Sequence, residues 1–166
     1  MSDDRLKRRL YLTRDCGTCK ACCTLMPIVE LDKAPGVACQ HLNPNEGKGC
    51  MSYETRPESC RTWACVWRSG SNIVEPIERP DRLGVMLDTM RPQPGQPRLD
   101  VLLAYEAREG GFVAAEASLR RLAQKRAVVL MTGPTKVFGP KSAVEAFLAG
   151  ASEFAEALGL RMEKAS

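Results

Sequence analysis

The chain is poor in aromatic side chains, 5% of 166 residues, has a single histidine, and carries no cysteine beyond position 65. A formal net charge of only +4, spread evenly on either side of Pro80, and the lack of interleaved basic and aromatic residues do not indicate a nucleic-acid surface. The one local basic run, Arg5, Lys7, Arg8 and Arg9, reads as a solvated terminus. No run of about eighteen apolar residues is present, so no membrane-spanning helix is expected. The charged N-terminus also lacks the apolar stretch a secretory signal needs. The expectation is therefore a cytoplasmic or similarly reducing location, where thiols stay reduced and favour metal over disulfides. Nucleotide-binding glycine loops, a nucleophile elbow and a metalloprotease helix motif are missing too. The carboxylates Asp81, Asp88, Asp100, Glu106 and Glu109 are scattered, so no catalytic constellation emerges and enzyme activity stays unassigned.

What is present divides the chain. The hydrophobic fraction of 44% and charged fraction of 27% suit a folded globular protein. All eight cysteines lie between Cys16 and Cys65, in a stretch broken by Pro27, Pro35, Gly36, Asn43-Pro44-Asn45 and Gly47-Lys48-Gly49. Such a stretch has little core of its own, and a structural metal, worth about 10–16 kcal/mol, would substitute for one. The expectation is an α+β chain in two parts: a loop-rich, metal-organised cysteine module over 1–80 and a small ββαββα lobe over 81–166. In the second part, residues 83–87 and 99–105 read as strands joined by a proline-rich turn over 91–97. A helix over 113–126, a buried strand over 128–131 and a short strand over 136–138 follow. Ser142-x-x-Glu145 reads as the capping box of a last helix, with Val144, Phe147, Leu148, Ala151, Phe154, Ala155 and Leu158 on one face and Gly159 as its stop.

The cysteines fall into a dense and a loose set. In Cys16-x-x-Cys19-x-x-Cys22-Cys23 the four side chains would lie within about 120° of one another at 100° per residue, although Gly17 favours a loop entering a helix over a full helix. Cys39, Cys50, Cys60 and Cys65 must be brought to them by folding. Thr55-x-x-Glu58 with Pro57 predicts a helix from Arg56 to about Trp67, burying Cys60, Trp63 and Trp67 on one face. Cys60 and Cys65 would point about 140° apart on an unbroken helix. Cys65 therefore joins the same ion only if the helix opens; otherwise it serves a second site or packs. The C-x-x-C-x-x-C run matches three corners of a [4Fe–4S] cluster with a remote fourth ligand. Zinc fits equally, whereas soft thiolates exclude magnesium and calcium. Eight sulfurs suffice for two four-ligand sites, or for one site plus buried thiols. Arg56 and Arg61 are candidates to offset thiolate charge or hydrogen-bond to sulfur, against a plainer role bonding backbone carbonyls. His41, two residues after Cys39, reads as a surface polar residue before a ligand, and Tyr53 as a core aromatic.

These residues resemble the YkgJ-like CxxCxxCC cysteine-cluster proteins, described as zinc- or iron-chelating domains. The likeness runs from Cys16 to about Cys65. It comprises the dense cluster, Cys39 with Leu42 after it, and Cys50-x-x-Tyr53-x-x-Arg56-Pro57-x-x-Cys60-Arg61. Lys20 stands where glycine is more usual in that family. The resemblance implies metal chelation and no particular reaction. A related cluster occurs in flagellin lysine N-methylases, but their additional sequence is absent here, so methyl transfer is not carried over. The leading expectation is a metal-binding protein. The alternatives are an iron–sulfur redox or modification enzyme and a thiol-based redox sensor with exposed, low-pKa cysteines.

Overall fold

The computed structural model describes residues 14–90 and 99–158, the last eight of these without their side chains. The N-terminal basic run, the turn over 91–97 and the Gly159 stop lie outside the described residues. Among the described residues, four strands and six α-helices give a mixed α+β architecture. Strands β1 (Val85–Thr89), β2 (Val101–Glu106), β3 (Ala127–Leu130) and β4 (Lys136–Phe138) lie side by side in chain order. The β1–β2 and β3–β4 pairs are antiparallel, and β2–β3 is parallel. A parallel pair needs a crossover, and short helices between β2 and β3 provide it.

Both faces of the sheet are covered, and the side-chain alternation of β2 and β3 decides which residue serves which face. Val101, Leu103, Ala127 and Val129 pack with Phe147, which is 1% exposed, on the last helix, Lys141–Leu158. Leu102, Ala104 and Val128 pack on the opposite face with Ala115, Leu119 and Leu122. The helix expected over 113–126 is broken into Gly111–Ala114 and Glu116–Ala123, because Ala115, at φ −91° and ψ 3°, turns the chain while filling the core. The last helix begins at Lys141, ahead of Ser142, and its Leu148 is exposed rather than facing the sheet.

The same core reaches into the cysteine half. Ala21, Cys65, Val66, Trp67 and Val74 are buried together with Val85, Met86 and Leu87. The Val66 N–H donates to the Leu87 carbonyl at 2.9 Å, which occupies part of the open edge of β1. Arg14 clasps this segment, donating to the carbonyls of Trp67 and Val74 with its guanidinium 5.5 Å from the Trp67 ring. Buried Glu78 takes two bonds from Arg121, at 2.9 and 2.7 Å, and ties the connector before β1 to the crossover helix.

The helix expected from Arg56 to Trp67 is only Glu58–Thr62. Its capping box does not form: Pro57 is the N-cap without a side-chain bond, and Glu30, on the 3-10 turn Val29–Leu31, accepts from the Ser59 amide and hydroxyl at 2.9 and 2.7 Å. Trp63 then becomes extended, φ −98° and ψ 144°, and its indole N–H donates to Asp88 on β1 at 3.0 Å. Tertiary bonding outweighs local propensity here. Trp63→Phe, which removes that donor to a largely buried carboxylate together with part of the ring packed on the core, is expected to cost about 1–3 kcal/mol in urea unfolding; an unchanged midpoint would show that neither the bond nor the lost packing adds to stability.

Candidate metal centre

Four chain segments carry the cysteines. The first turns through Gly17, at φ +52°, with the Cys19 amide donating to the Cys16 carbonyl at 2.9 Å, and then enters the helix Ala21–Leu25, which bears Cys22 and Cys23. Asp15 accepts the Gly17 amide, and Arg79 holds the loop from the far side through the Thr18 hydroxyl at 2.9 Å. The second and third segments are sewn to the first by backbone bonds. The Cys39 amide donates to the Cys23 carbonyl at 2.9 Å, and the Gly49 amide to the Gly17 carbonyl at 3.1 Å. Cys50 sits in an isolated bridge with Leu42, and the neighbouring Met51 amide donates to His41. Lys20 donates to the carbonyls of Asn43 and Asn45 at 2.6 and 2.8 Å, fastening that loop against the cluster. The fourth segment carries Cys60 within the helix Glu58–Thr62 and Cys65 beyond its end. Because the helix has opened by Trp63, the 140° separation expected for an unbroken helix does not apply.

All eight cysteines line one cavity of about 400 Å³. None is in a disulfide. Several sulfurs receive backbone N–H groups: Cys39 from His41 at 3.4 Å, Cys65 from Arg68 at 3.4 Å and also Trp67, Cys19 from Ala21, and Cys50 from Ser52. Donors aimed at sulfur favour thiolate and tune thiolate metal centres. Among the described residues, no three His, Cys, Asp or Glu side chains form a closed group that would hold an ion as they stand. The sulfurs thus share a cavity without forming a finished cage.

Burial is the main force on the thiols. It pushes Cys65 up to about 11 and also raises Cys16, Cys19, Cys50 and Cys60, with the Arg68 charge opposing it at Cys16. Cys22 and Cys23 share a hydrogen bond, which raises Cys22 and lowers Cys23 to about 7, helped by the Lys33 ammonium. Lys33 is itself buried and donates to the carbonyls of Thr24, Met26 and Ala34. Arg56 and Arg61 both line the cavity and spend their donors on backbone, Arg56 on the Tyr53 and Cys60 carbonyls and Arg61 on those of Arg56 and Glu54, while the Arg56 charge still works to lower Cys50. Arg56 also lies 3.9 Å over the Tyr53 ring. His41 lines the cavity as well, with Nδ1 3.1 Å from the Ser52 hydroxyl.

Arg68 and Lys33 are the charged groups beside sulfur that pattern reading passes over. Arg68 bonds to Cys16 through its side chain, and to the Arg14 carbonyl and the Tyr53 hydroxyl. Nothing in its spacing marks it; only the fold brings it there. No family model, curated protein or solved structure matches the chain.

Gly49 lies tight against the first segment: a Cβ there would stand 2.5 Å from the Cys19 carbonyl oxygen. Gly49→Ala must therefore part the Cys16–Cys19 turn from the Cys50 loop. It is expected to cost about 1–3 kcal/mol in thermal or urea unfolding; wild-type stability would mean that this contact yields without loss.

Proposed function

We propose that this chain is a metal-binding protein whose loop-rich cysteine half is organised around zinc or an iron–sulfur cluster. The observation that carries the reading is the convergence of eight cysteines from four segments on one cavity. The donor set fits soft, thiophilic metals. Sulfur is the dominant ligand atom, backbone N–H groups already face several sulfurs, and cationic Arg68 and Lys33 lie close enough to offset some thiolate charge. Bound metal would supply the attraction that draws the sulfurs into a closed cage, coupling binding to folding. The likeness of residues 16–65 to the YkgJ-like cysteine-cluster proteins points the same way.

One observation favours a second reading. Cys23, lowered to about 7 beside Cys22, has the thiolate character required of a redox-sensing cysteine. The two readings separate on one sample. Protein purified anaerobically is expected to carry metal and to release it as its thiols are titrated. Full thiol titration of native protein with no metal to release would establish the thiol-only reading instead. Acid-labile sulfide with iron and a brown colour would identify a cluster, and zinc without sulfide a structural site.

Two further outcomes are expected. Cys19→Ser should lower metal content and the melting temperature together, since structural metal contributes folding energy directly; a variant with normal metal and melting removes Cys19 from the ligands. Thiols raised by burial keep their protons near neutrality, so metal must displace them, and affinity falls as pH falls. In chelator competition, zinc affinity should rise by more than tenfold per pH unit between pH 6 and 8. A flat profile would contradict thiolate ligation.

A further inference from the structure

Resting on the metal-binding reading, we propose that the cavity holds two four-sulfur metal sites: an inner one of Cys16, Cys19, Cys22 and Cys65 against the sheet-side core, and an outer one of Cys23, Cys39, Cys50 and Cys60. Each takes one thiophilic ion or one small cluster, and each ion displaces the protons of the four thiols that bind it.

Packing divides the cysteines first. Cys65 is part of the core shared with Ala21, Trp67 and β1, and Cys19 and Cys22 pack against it. Among the described residues, Cys16, Cys23, Cys39, Cys50 and Cys60 take no part in that cluster. Arg68 joins Cys16 to the inner group, because its amide donates to the Cys65 sulfur while its guanidinium bonds to Cys16. The outer group is bound together around His41. Its amide donates to the Cys39 sulfur, its carbonyl accepts from Met51 beside Cys50, and its ring meets the Ser52 hydroxyl. Cys23 is tied to the same group through its carbonyl, which accepts the Cys39 amide.

The helix Ala21–Leu25 explains how a continuous Cys22-Cys23 pair serves both sites. Consecutive helical side chains leave the axis about 100° apart, and the Cys22 and Cys23 sulfurs, in hydrogen-bond contact with each other, stand where the two sites adjoin. Among neighbouring thiols, Cys65 is influenced by Cys16 and Cys19, and Cys60 by Cys23, Cys39 and Cys50, whereas Cys22 is influenced by Cys23 of the other set ahead of Cys16 and Cys65. The sets touch through the Cys22–Cys23 bond and the influence of Cys23 on Cys16, so the two sites adjoin. Each set also contains two sulfurs that receive the N–H two residues later: Cys19 and Cys65 in the inner, Cys39 and Cys50 in the outer. A cavity of about 400 Å³, with room for on the order of ten waters, far exceeds the space of one bare ion.

The test is an anaerobic titration of the reduced full chain with zinc and with cobalt(II), read by native mass spectrometry and by the cobalt spectrum of a four-sulfur site. Wild type is expected to bind two ions. Cys16→Ser/Cys65→Ser and Cys39→Ser/Cys60→Ser should each bind one, while the crossed pair Cys16→Ser/Cys60→Ser should bind none tightly. Retention of a full-affinity ion by the crossed pair, or loss of both ions from both matched pairs, would overturn the division. A footprint that needs no variant guards against misfolding: half-loaded wild type, alkylated briefly, should carry a single label on the Cys22-Cys23 peptide. Two labels or none there would overturn the division. Wild type that binds no ion would instead overturn the metal-binding reading beneath it, and one ion protecting sulfurs of both sets would overturn the division alone.

Discussion

The packing of Cys65, Val66 and Trp67 against β1 is the contact on which the cysteine half depends. It combines burial of three neighbouring side chains with a main-chain bond from Val66 to Leu87 at the sheet edge. Without it, the segment after Glu58–Thr62 would have neither a periodic face nor a partner. With it, Cys65 is set at the floor of the cavity, and the indole of Trp63 is aligned on Asp88. The sheet is therefore more than a companion to the cysteines, because one wall of their cavity is held by its outer strand.

The other walls are assembled by backbone bonds between irregular segments. Bonds from Cys39 to Cys23, Gly49 to Gly17 and Met51 to His41 replace the regular ladders that these sequences cannot form. They also satisfy main-chain groups that burial would otherwise leave unpaired. Such seams position a loop, yet each is worth only about 0.5–1.5 kcal/mol net. Eight thiols gathered in this way are a compromise: neutral, they are small hydrophobes, two of them buried and six partly so, and ionised they repel one another. Arg68 and Lys33 offset part of that charge. A soft cation would offset the rest while adding bonds far stronger than the seams.

A division of the sulfurs into an inner and an outer set would give them different surroundings. The inner set borders the apolar core, where burial raises Cys65 to about 11. The outer set lies on irregular loops with His41 and Ser52 at its side, and includes Cys39, which is as buried as Cys65. Metal held in the first would be coupled to the packing of the sheet, and metal in the second to the arrangement of the loops. Cys22 and Cys23, adjacent on one short helix, would be the joint between them.

Much of the second half was legible in the residues. Short continuous apolar runs marked the strands, and which residue serves which face follows from a two-residue period that needs no tertiary knowledge. The crowding of cysteines before position 65, and the soft chemistry this implies, are likewise properties of the sequence. The helix after Pro57 was not legible at its true length: the Glu30 cap and the Trp63–Asp88 bond act from far along the chain, and local patterns carry no record of them. Nor could spacing tell that Arg68 would face Cys16, or that Arg56 and Arg61 would turn their donors to carbonyls. The sequence by itself determined the kinds of atom available and the periodic elements, because these depend on neighbours in the chain. Which sulfurs share a wall, and which charges stand beside them, was decided only by tertiary structure, because contacts across tens of residues depend on packing.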